Sequence, residues 1–248
     1  MILEMDLGNT RCKWRLREGS EVAMRGAIPI SESFGELELP LRQYKQQIKK
    51  CWVVSVVHPG IDNALSRWVA GYLAINPEFA RTGKTCTGIV NGYEKPESLG
   101  VDRWLAIVAA GREITSSFLM VSFGTAVTLD LVLENGQHVG GYIAPGLNLM
   151  LDSLQQGTYG VAAESNDPKM ELFPGTTTVN AVHAAIAAMV VGLIENALSK
   201  LQEISGRQLT ELIFTGGDAI KFLPLYPDAK YKPELVLDGL TYILGASQ

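Results

Sequence analysis

Cysteine is scarce in this sequence. Cys12, Cys51 and Cys86 are the only three, an odd number in which no pair has two-residue spacing. That argues against a disulfide framework and a structural zinc site, and leaves reduced thiols in a reducing compartment as the plain expectation. An excess of positive charge is missing too. With 21 Lys and Arg against 26 Asp and Glu the net charge is −5, so the chain has no general field for attracting nucleic acid. Nucleic acid is set aside as a partner, and any phosphate ligand has to be held by local groups: backbone N–H, one or two cations and a metal ion. Long hydrophobic runs are also lacking. The longest uncharged apolar stretch, Ala184 to Ile194, is shorter than a bilayer requires, and Met1-Ile2-Leu3 is followed by Glu4 and Asp6 rather than by an export signal. The expectation is a cytoplasmic protein with no membrane partner. What is present is a globular balance, 47% apolar and 19% charged, over a length that suits one large domain or two compact lobes.

The mixed apolar and acidic residues of Ile2–Asp6 predict a strand, Gly8-Asn9 a turn, and Cys12–Leu16 a returning strand, with Glu21–Ile28 as a third. A helix is expected over Glu36–Ile48, interrupted or begun by Pro40. The β-branched run Trp52–Val57 reads as a buried parallel strand ended by Pro59-Gly60, before a helix over Ile61–Leu73. Around Gly83–Gly92 the pattern weakens. This is read as the join between an N-terminal lobe, residues 1–95, and a C-terminal lobe, residues 96–248. Beyond it come a helix over Val101–Ile114 and strands over Leu119–Val121, Val127–Leu133 and His138–Ile143, the last pair turned at Gly136. A helix over Gly146–Leu154 follows, then a long one over Thr178–Ile204 with apolar residues at i, i+3 and i+4 that stops before Gly206. A short strand, Leu212–Phe214, and a helix over Gly239–Leu244 close the chain.

An internal repeat sets the fold class. Asp6-Leu7-Gly8-Asn9-Thr10 and Ser122-Phe123-Gly124-Thr125-Ala126 each sit between two predicted strands, and each is followed by a third strand and helices. A duplicated α/β unit whose two hairpin turns face each other across a cleft resembles the actin, hexokinase and heat-shock-ATPase group. The resemblance implies an actin-like (ribonuclease H-like) fold: two lobes, each a mixed sheet flanked by helices, gripping the phosphates of a nucleotide in the cleft between them.

Four segments carry chemistry. Asp6 to Lys13 holds a carboxylate for Mg²⁺, directly or through water, a glycine for close backbone approach, Asn9 and Thr10 as donors, and a lysine to neutralise charge. An ordinary hairpin with a polar turn is the alternative, and for Lys13 an exposed strand lysine is nearly as good a reading. Gly124-Thr125-Ala126-Val127-Thr128 offers small residues and two hydroxyls to a second phosphate loop. Gly100-Val101-Asp102-Arg103 opens a helix, where Asp102 is favourable but a cation is electrostatically misplaced. Helix-start amides plus Arg103 would bind a substrate carboxylate, and Asp102 could accept a proton from a substrate hydroxyl. Thr215-Gly216-Gly217-Asp218 could pass close to an adenine or ribose, or be a tight turn. His58, His138 and His183 share no ligand spacing and read as structural.

Taken together these segments resemble the type III pantothenate kinases. That family carries Asp-x-Gly-Asn-Thr-x-x-Lys, matched by Asp6 to Lys13; Gly-x-Asp-Arg, matched by Gly100 to Arg103; and Gly-Thr-Ala-x-Thr, matched by Gly124 to Thr128. It also carries Gly-Gly-x-Ile-x-Pro-Gly, matched by Gly140 to Gly146, a Thr at the start of a long helix, matched by Thr178, and the Thr-Gly-Gly-Asp turn at Thr215. The resemblance implies ATP-dependent phosphorylation of pantothenate to 4'-phosphopantothenate, the first step of coenzyme A biosynthesis. It assigns ATP to Asp6, Leu7, Gly8, Asn9, Thr10, Arg11, Cys12, Lys13 and Thr125. It assigns pantothenate to Tyr93, Gly100, Val101, Asp102, Arg103 and Thr178, with Asp102 as base and Thr178 reaching over from the other subunit of a homodimer. The family needs Mg²⁺ and a monovalent cation, K⁺ or NH₄⁺. One departure stands out: the family has Asp at the head of the second loop, at the monovalent-cation position, and this chain has Ser122, a much poorer ligand. Two other readings share the fold: a kinase for another small hydroxy acid, and a non-catalytic nucleotide-binding accessory or regulatory protein. Intact Asp6 and Asp102 count against the second.

Overall fold

The computed structural model describes residues 1–31, 33–159, 170–206 and 210–245. The elements in chain order are β1 (Ile2–Leu7), β2 (Arg11–Glu18), β3 (Glu21–Pro29), α1 (Glu38–Leu41), β4 (Lys50–Ser55), α2 (Pro59–Leu73), β5 (Pro77–Phe79), β6 (Thr85–Cys86) and β7 (Ile89–Val90). They continue with α3 (Val101–Glu113), β8 (Phe118–Phe123), β9 (Ala126–Val132), β10 (His138–Pro145), α4 (Leu147–Gly157), α5 (Thr178–Ser205), β11 (Glu211–Gly216), β12 (Lys230–Tyr231) and α6 (Leu235–Leu244).

Two five-stranded sheets repeat one plan. The first has the order β3-β2-β1-β4-β5 and the second β10-β9-β8-β11-β12. In each, the three consecutive strands pair antiparallel and the outer two join parallel. This is the duplicated α/β plan that the repeat predicted. The chain forms two compact units. One holds residues 1–87, 93–109 and 235–248, the other residues 88–92 and 110–234. A single division at residue 95 differs from this, because the start of α3 and the whole of α6 pack with the first sheet. The dense packing point is Gly239 of α6, where a Cβ would lie 2.4 Å from the carbonyl oxygen of Leu105 in α3.

The first core follows from strand alternation. Leu3, Met5 and Leu7 on β1 and Cys12, Trp14 and Leu16 on β2 are buried on one face, with Val53, Leu65 and Val69 packed against them. The opposite face of the same two strands carries charge. Fully buried Glu4 accepts from Arg15 Nε at 2.5 Å and Arg17 Nε at 2.8 Å, and Arg15 Nη1 reaches Asp238 on α6 at 2.7 Å. The second core gathers Val121, Phe123, Val127 and Phe214 from the sheet and Ile186, Val190 and Ile194 from α5. Phe123 meets Phe214 edge-on at 5.0 Å and stacks on Phe222 at 4.8 Å.

Several elements differ from expectation for local reasons. The helix expected over Glu36–Ile48 is three short turns, Gly35–Leu37, α1 and Arg42–Tyr44. Pro40 itself lies within the single turn α1, where its missing N–H is tolerated, and the path tightens into short turns on either side. Pro59 does not merely end a strand; it opens α2, with His58 Nδ1 capping the Gly60 N–H at 3.1 Å. α5 begins one residue after its cap. Thr177 accepts from the Asn180 N–H at 3.2 Å, which leaves Thr178 as the first helical residue. α5 is also the one helix among the described residues whose length and composition would let it cross a membrane; the apolar run alone would not. Its buried stripe, Ile186 to Leu201, is part of the second core.

Candidate active site

The first hairpin sets out its charged residues by register. Asp6 on β1 faces Lys13 on β2 and Val54 on β4, and directly paired residues project to the same face of a sheet. Burial pushes the Asp6 carboxyl up, Lys13 pulls it back and Asp102 pushes it up again, leaving it at about 6. One lysine therefore does not supply the charge compensation this carboxylate needs. Gly8 N–H donates to the Arg11 carbonyl at 3.1 Å and closes the turn, while Asn9, Thr10 and Arg11 are exposed at its tip. Leu7 and Cys12 pair across the hairpin and are fully buried, so only their backbone is available at the turn. Burial, aided by Asp6, pushes the Cys12 thiol up to about 12, which makes it inert.

The start of α3 belongs to the same unit. Thr82 Oγ1 donates to the Leu99 carbonyl at 2.8 Å and fixes the approach to the helix. Asp102 folds back over Gly100, where a Cβ would lie 2.8 Å from Asp102 Oδ1; a side chain there would displace the carboxylate. Arg103 is 6% exposed. Its Nη1 donates to the Tyr93 hydroxyl at 2.8 Å, and its guanidinium carbon lies 5.6 Å from the centroid of the Tyr93 ring. Asp6, Lys13, Tyr93, Gly100, Val101, Asp102 and Arg103 thus all lie in the first unit, with Asp102 within electrostatic reach of Asp6.

The second hairpin has the same register and different chemistry. Ser122 on β8 faces Thr128 on β9 and Thr215 on β11, a row of three hydroxyls where the first sheet has Lys13, Asp6 and Val54. The Thr128 hydroxyl is buried and has no hydrogen-bond partner among the described residues. The loop itself is braced. Gly124 N–H donates to the Ala126 carbonyl at 3.0 Å, and Gly146 N–H to the Thr125 carbonyl at 2.9 Å. A Cβ on Gly146 would sit 2.4 Å from the Gly124 oxygen, and one on Gly216 would sit 2.2 Å from the Phe123 oxygen. Gly216 also has φ +91°, so Thr215-Gly216 is fitted directly onto the loop. Thr125 is exposed at its tip, and Thr178 is exposed at the start of α5.

A divalent cation fits the first hairpin. Among the described residues no three His, Cys, Asp or Glu side chains converge as a metal cage. Asp6 would hold the ion with phosphate oxygens and water, which is how Mg²⁺ is commonly bound, and the ion would supply the compensation that Lys13 alone does not.

The family model for type III pantothenate kinase matches residues 2–200. The chain belongs to the type III pantothenate kinase family. It is 37% identical over 241 residues to the type III pantothenate kinase of Cellvibrio japonicus, covering 97% of this chain and 95% of the relative. To the type III pantothenate kinase of Pseudomonas aeruginosa it is 34% identical, covering 97% of each. Two solved structures share the fold. One is a Campylobacter jejuni protein classed with the Baf family of transcriptional activators (TM-score 0.60, 19% identity, 98% of each chain). The other is MreB5 of Spiroplasma citri bound to ADP (TM-score 0.52, 12% identity, 96% of this chain and 94% of that one). The chain is a pantothenate kinase, an ATP-dependent phosphotransferase with an actin-like fold.

Sequence reasoning missed three supports. The Glu4–Arg15–Asp238 ion network was hidden because alternating charge on a strand looks like a solvated face. The anchor from Thr82 gives no pattern at all. Asp130 was missed despite a usable signal: a lone carboxylate inside the apolar run Val127–Val132, where it is fully buried against His138.

Proposed function

We propose that the kinase moves the γ-phosphoryl group of ATP onto the primary hydroxyl of pantothenate with Asp102 as the general base. The hydroxyl oxygen attacks phosphorus, the bond to the β,γ-bridging oxygen breaks, ADP leaves, and the hydroxyl proton passes to Asp102. A loose transition state of this kind asks for positioning and charge neutralisation more than for a strong base, so an ordinary carboxylate suffices. Arg103, held by Tyr93, receives the pantothenate carboxylate beside Gly100 and Val101. Lys13, Gly8, Asn9, Thr10, Arg11 and the backbone of Leu7 and Cys12 take the triphosphate, and Thr125 takes it at the second loop. Mg²⁺ on Asp6 supplies charge compensation when bound.

The observation that carries this reading is the electrostatic link among Asp6, Lys13 and Asp102 in one unit that also holds the Arg103–Tyr93 pair. The same proposal includes a homodimer, with Thr178 contributed to the partner's pantothenate site. Exposed Leu172 and Phe173 near Thr178, and Leu149, Leu154 and Met189 on α4 and α5, are the apolar surface a second copy would cover. It assigns the monovalent cation, K⁺ or NH₄⁺, to the Ser122 position, where Ser122, Thr128 and Thr215 offer only neutral oxygens.

The test is ADP release with pantothenate and Mg-ATP, wild type beside Asp102→Asn. Pantothenate-dependent turnover is expected, with kcat down by about 10²–10⁴ in the variant. No pantothenate-dependent ADP release from folded wild type contradicts the reading.

A further inference from the structure

The kinase reading makes no use of the buried pair Asp130–His138. Both side chains are fully buried, and His138 Nε2 lies 3.0 Å from Asp130 Oδ1. The other ring nitrogen, Nδ1, accepts the Gly92 N–H at 3.4 Å. Those two contacts define the tautomer: the proton is on Nε2, donated to Asp130, and the Nδ1 lone pair faces Gly92. A β-bulge between His138 and Gly140 breaks the β9–β10 register at this histidine, and Gln137 Nε2 caps the His138 carbonyl at 2.7 Å.

The partner of this pair is a short stretch of chain. Residues 88–92 pack with the second unit although the residues on both sides, ending at Thr87 and resuming at Tyr93, pack with the first. Val90 N–H donates to the Gly136 carbonyl at 2.9 Å, and Val90 bridges Gln137. The approach is so close that a Cβ on Gly136 would lie 2.1 Å from the Gly88 oxygen, and one on Gly92 would lie 1.9 Å from the His138 oxygen. The residue after Gly92 is Tyr93, whose hydroxyl takes the Arg103 hydrogen bond.

We infer that Asp130 and His138 are positioning residues for the pantothenate-binding Tyr93–Arg103 pair: Asp130 fixes the histidine tautomer, and the histidine fixes the backbone at Gly92. This rests on the assignment of Tyr93 and Arg103 to pantothenate. A buried pair that served stability alone would alter both substrates together, or neither. A positioning pair alters pantothenate selectively.

The experiment measures KM and kcat for each substrate in wild type, His138→Leu and His138→Asn, with hydrogen exchange followed in the peptide covering residues 88–93. His138→Leu removes both contacts. His138→Asn puts an amide oxygen where Nδ1 was and keeps an acceptor for Gly92. The expected result for His138→Leu is a KM for pantothenate raised about five- to tenfold, with the KM for ATP within about twofold. Exchange in 88–93 should be faster in His138→Leu, and His138→Asn should recover most of both effects. Equal shifts for the two substrates, or unchanged exchange in 88–93, overturn the inference. Wild type without pantothenate-dependent turnover would instead sink the site assignment. The exchange arm still decides the contact in that case: faster exchange in His138→Leu but not in His138→Asn supports it, and no difference overturns it.

Discussion

The two hairpins have one register and opposite characters. At the row before the turn, the first sheet places Lys13, Asp6 and Val54 side by side, and the second places Thr128, Ser122 and Thr215. The first turn is the less crowded: a Cβ on Gly8 would make one tight contact, 3.3 Å from the Arg11 oxygen. The second is wedged between Gly146 and Gly216, where a Cβ would meet backbone at 2.4 and 2.2 Å. The two sheets share one strand plan. One carries a formal charge pair, Asp6 and Lys13, in the row before its turn, and the other carries three neutral hydroxyls beside a closely packed loop.

The comparison breaks most visibly at the glycines. Gly216→Ala combines a positive φ with a backbone clash, and is expected to destabilise the fold by about 2–4 kcal/mol. Gly8→Ala, with only a tight contact to a carbonyl, should cost under about 1 kcal/mol. Urea unfolding of the two variants measures this. Equal losses would mean that the second loop is no better braced than the first.

The next effect comes from Asp6. Its folded carboxyl titrates at about 6 against an ordinary value of 3.8, so the native state binds the proton more tightly than the unfolded chain. The penalty is absent below pH 4, grows between pH 4 and 6, and is complete above pH 6. Asp6→Asn should therefore raise stability at pH 7 by about 1–3 kcal/mol and lose that advantage by pH 4, while reducing turnover. Thermal unfolding across pH 4–8 in metal-free buffer is the measurement. A destabilised Asn variant at pH 7 would show that the carboxylate is compensated within the protein.

The smallest effect is expected at Ser122. Three hydroxyls bind a monovalent ion weakly, so replacing Na⁺ by K⁺ should change wild-type kcat/KM by less than about threefold. Ser122→Asp should enlarge the difference. Strong K⁺ dependence in wild type would mean that other oxygens complete the site.

Much of this was legible in the residues. The strand–turn–strand repeat, the Asp6 and Gly100 segments and the long helix depend on local signals, namely alternation, glycines and caps, and they stand where the sequence puts them. Pro40 could be read as an interruption, but whether one helix or three turns results depends on how Leu37 and Leu41 are buried in the first core. The burial of Leu7 and Cys12 follows from alternation once Leu3 and Met5 are known to face inward. The return of α6 to the first sheet was not legible, because Arg15 and Asp238 are 223 residues apart. Nor was the contact of Gly92 with His138, since nothing local marks which strand a connecting segment will touch. The Ser122 departure was plain in the sequence. Its two hydroxyl neighbours became visible only through strand register.

The central claim is that the charge chemistry is in the first hairpin and that the second contributes shape. Its most direct test is pantothenate-dependent ADP release by Asp6→Ser, which gives the first row the hydroxyl of the second, beside Ser122→Ala, under saturating Mg-ATP. The account predicts a loss of about 10²-fold or more for Asp6→Ser and less than about fivefold for Ser122→Ala. Comparable losses in the two variants, or the larger loss at Ser122, would contradict it.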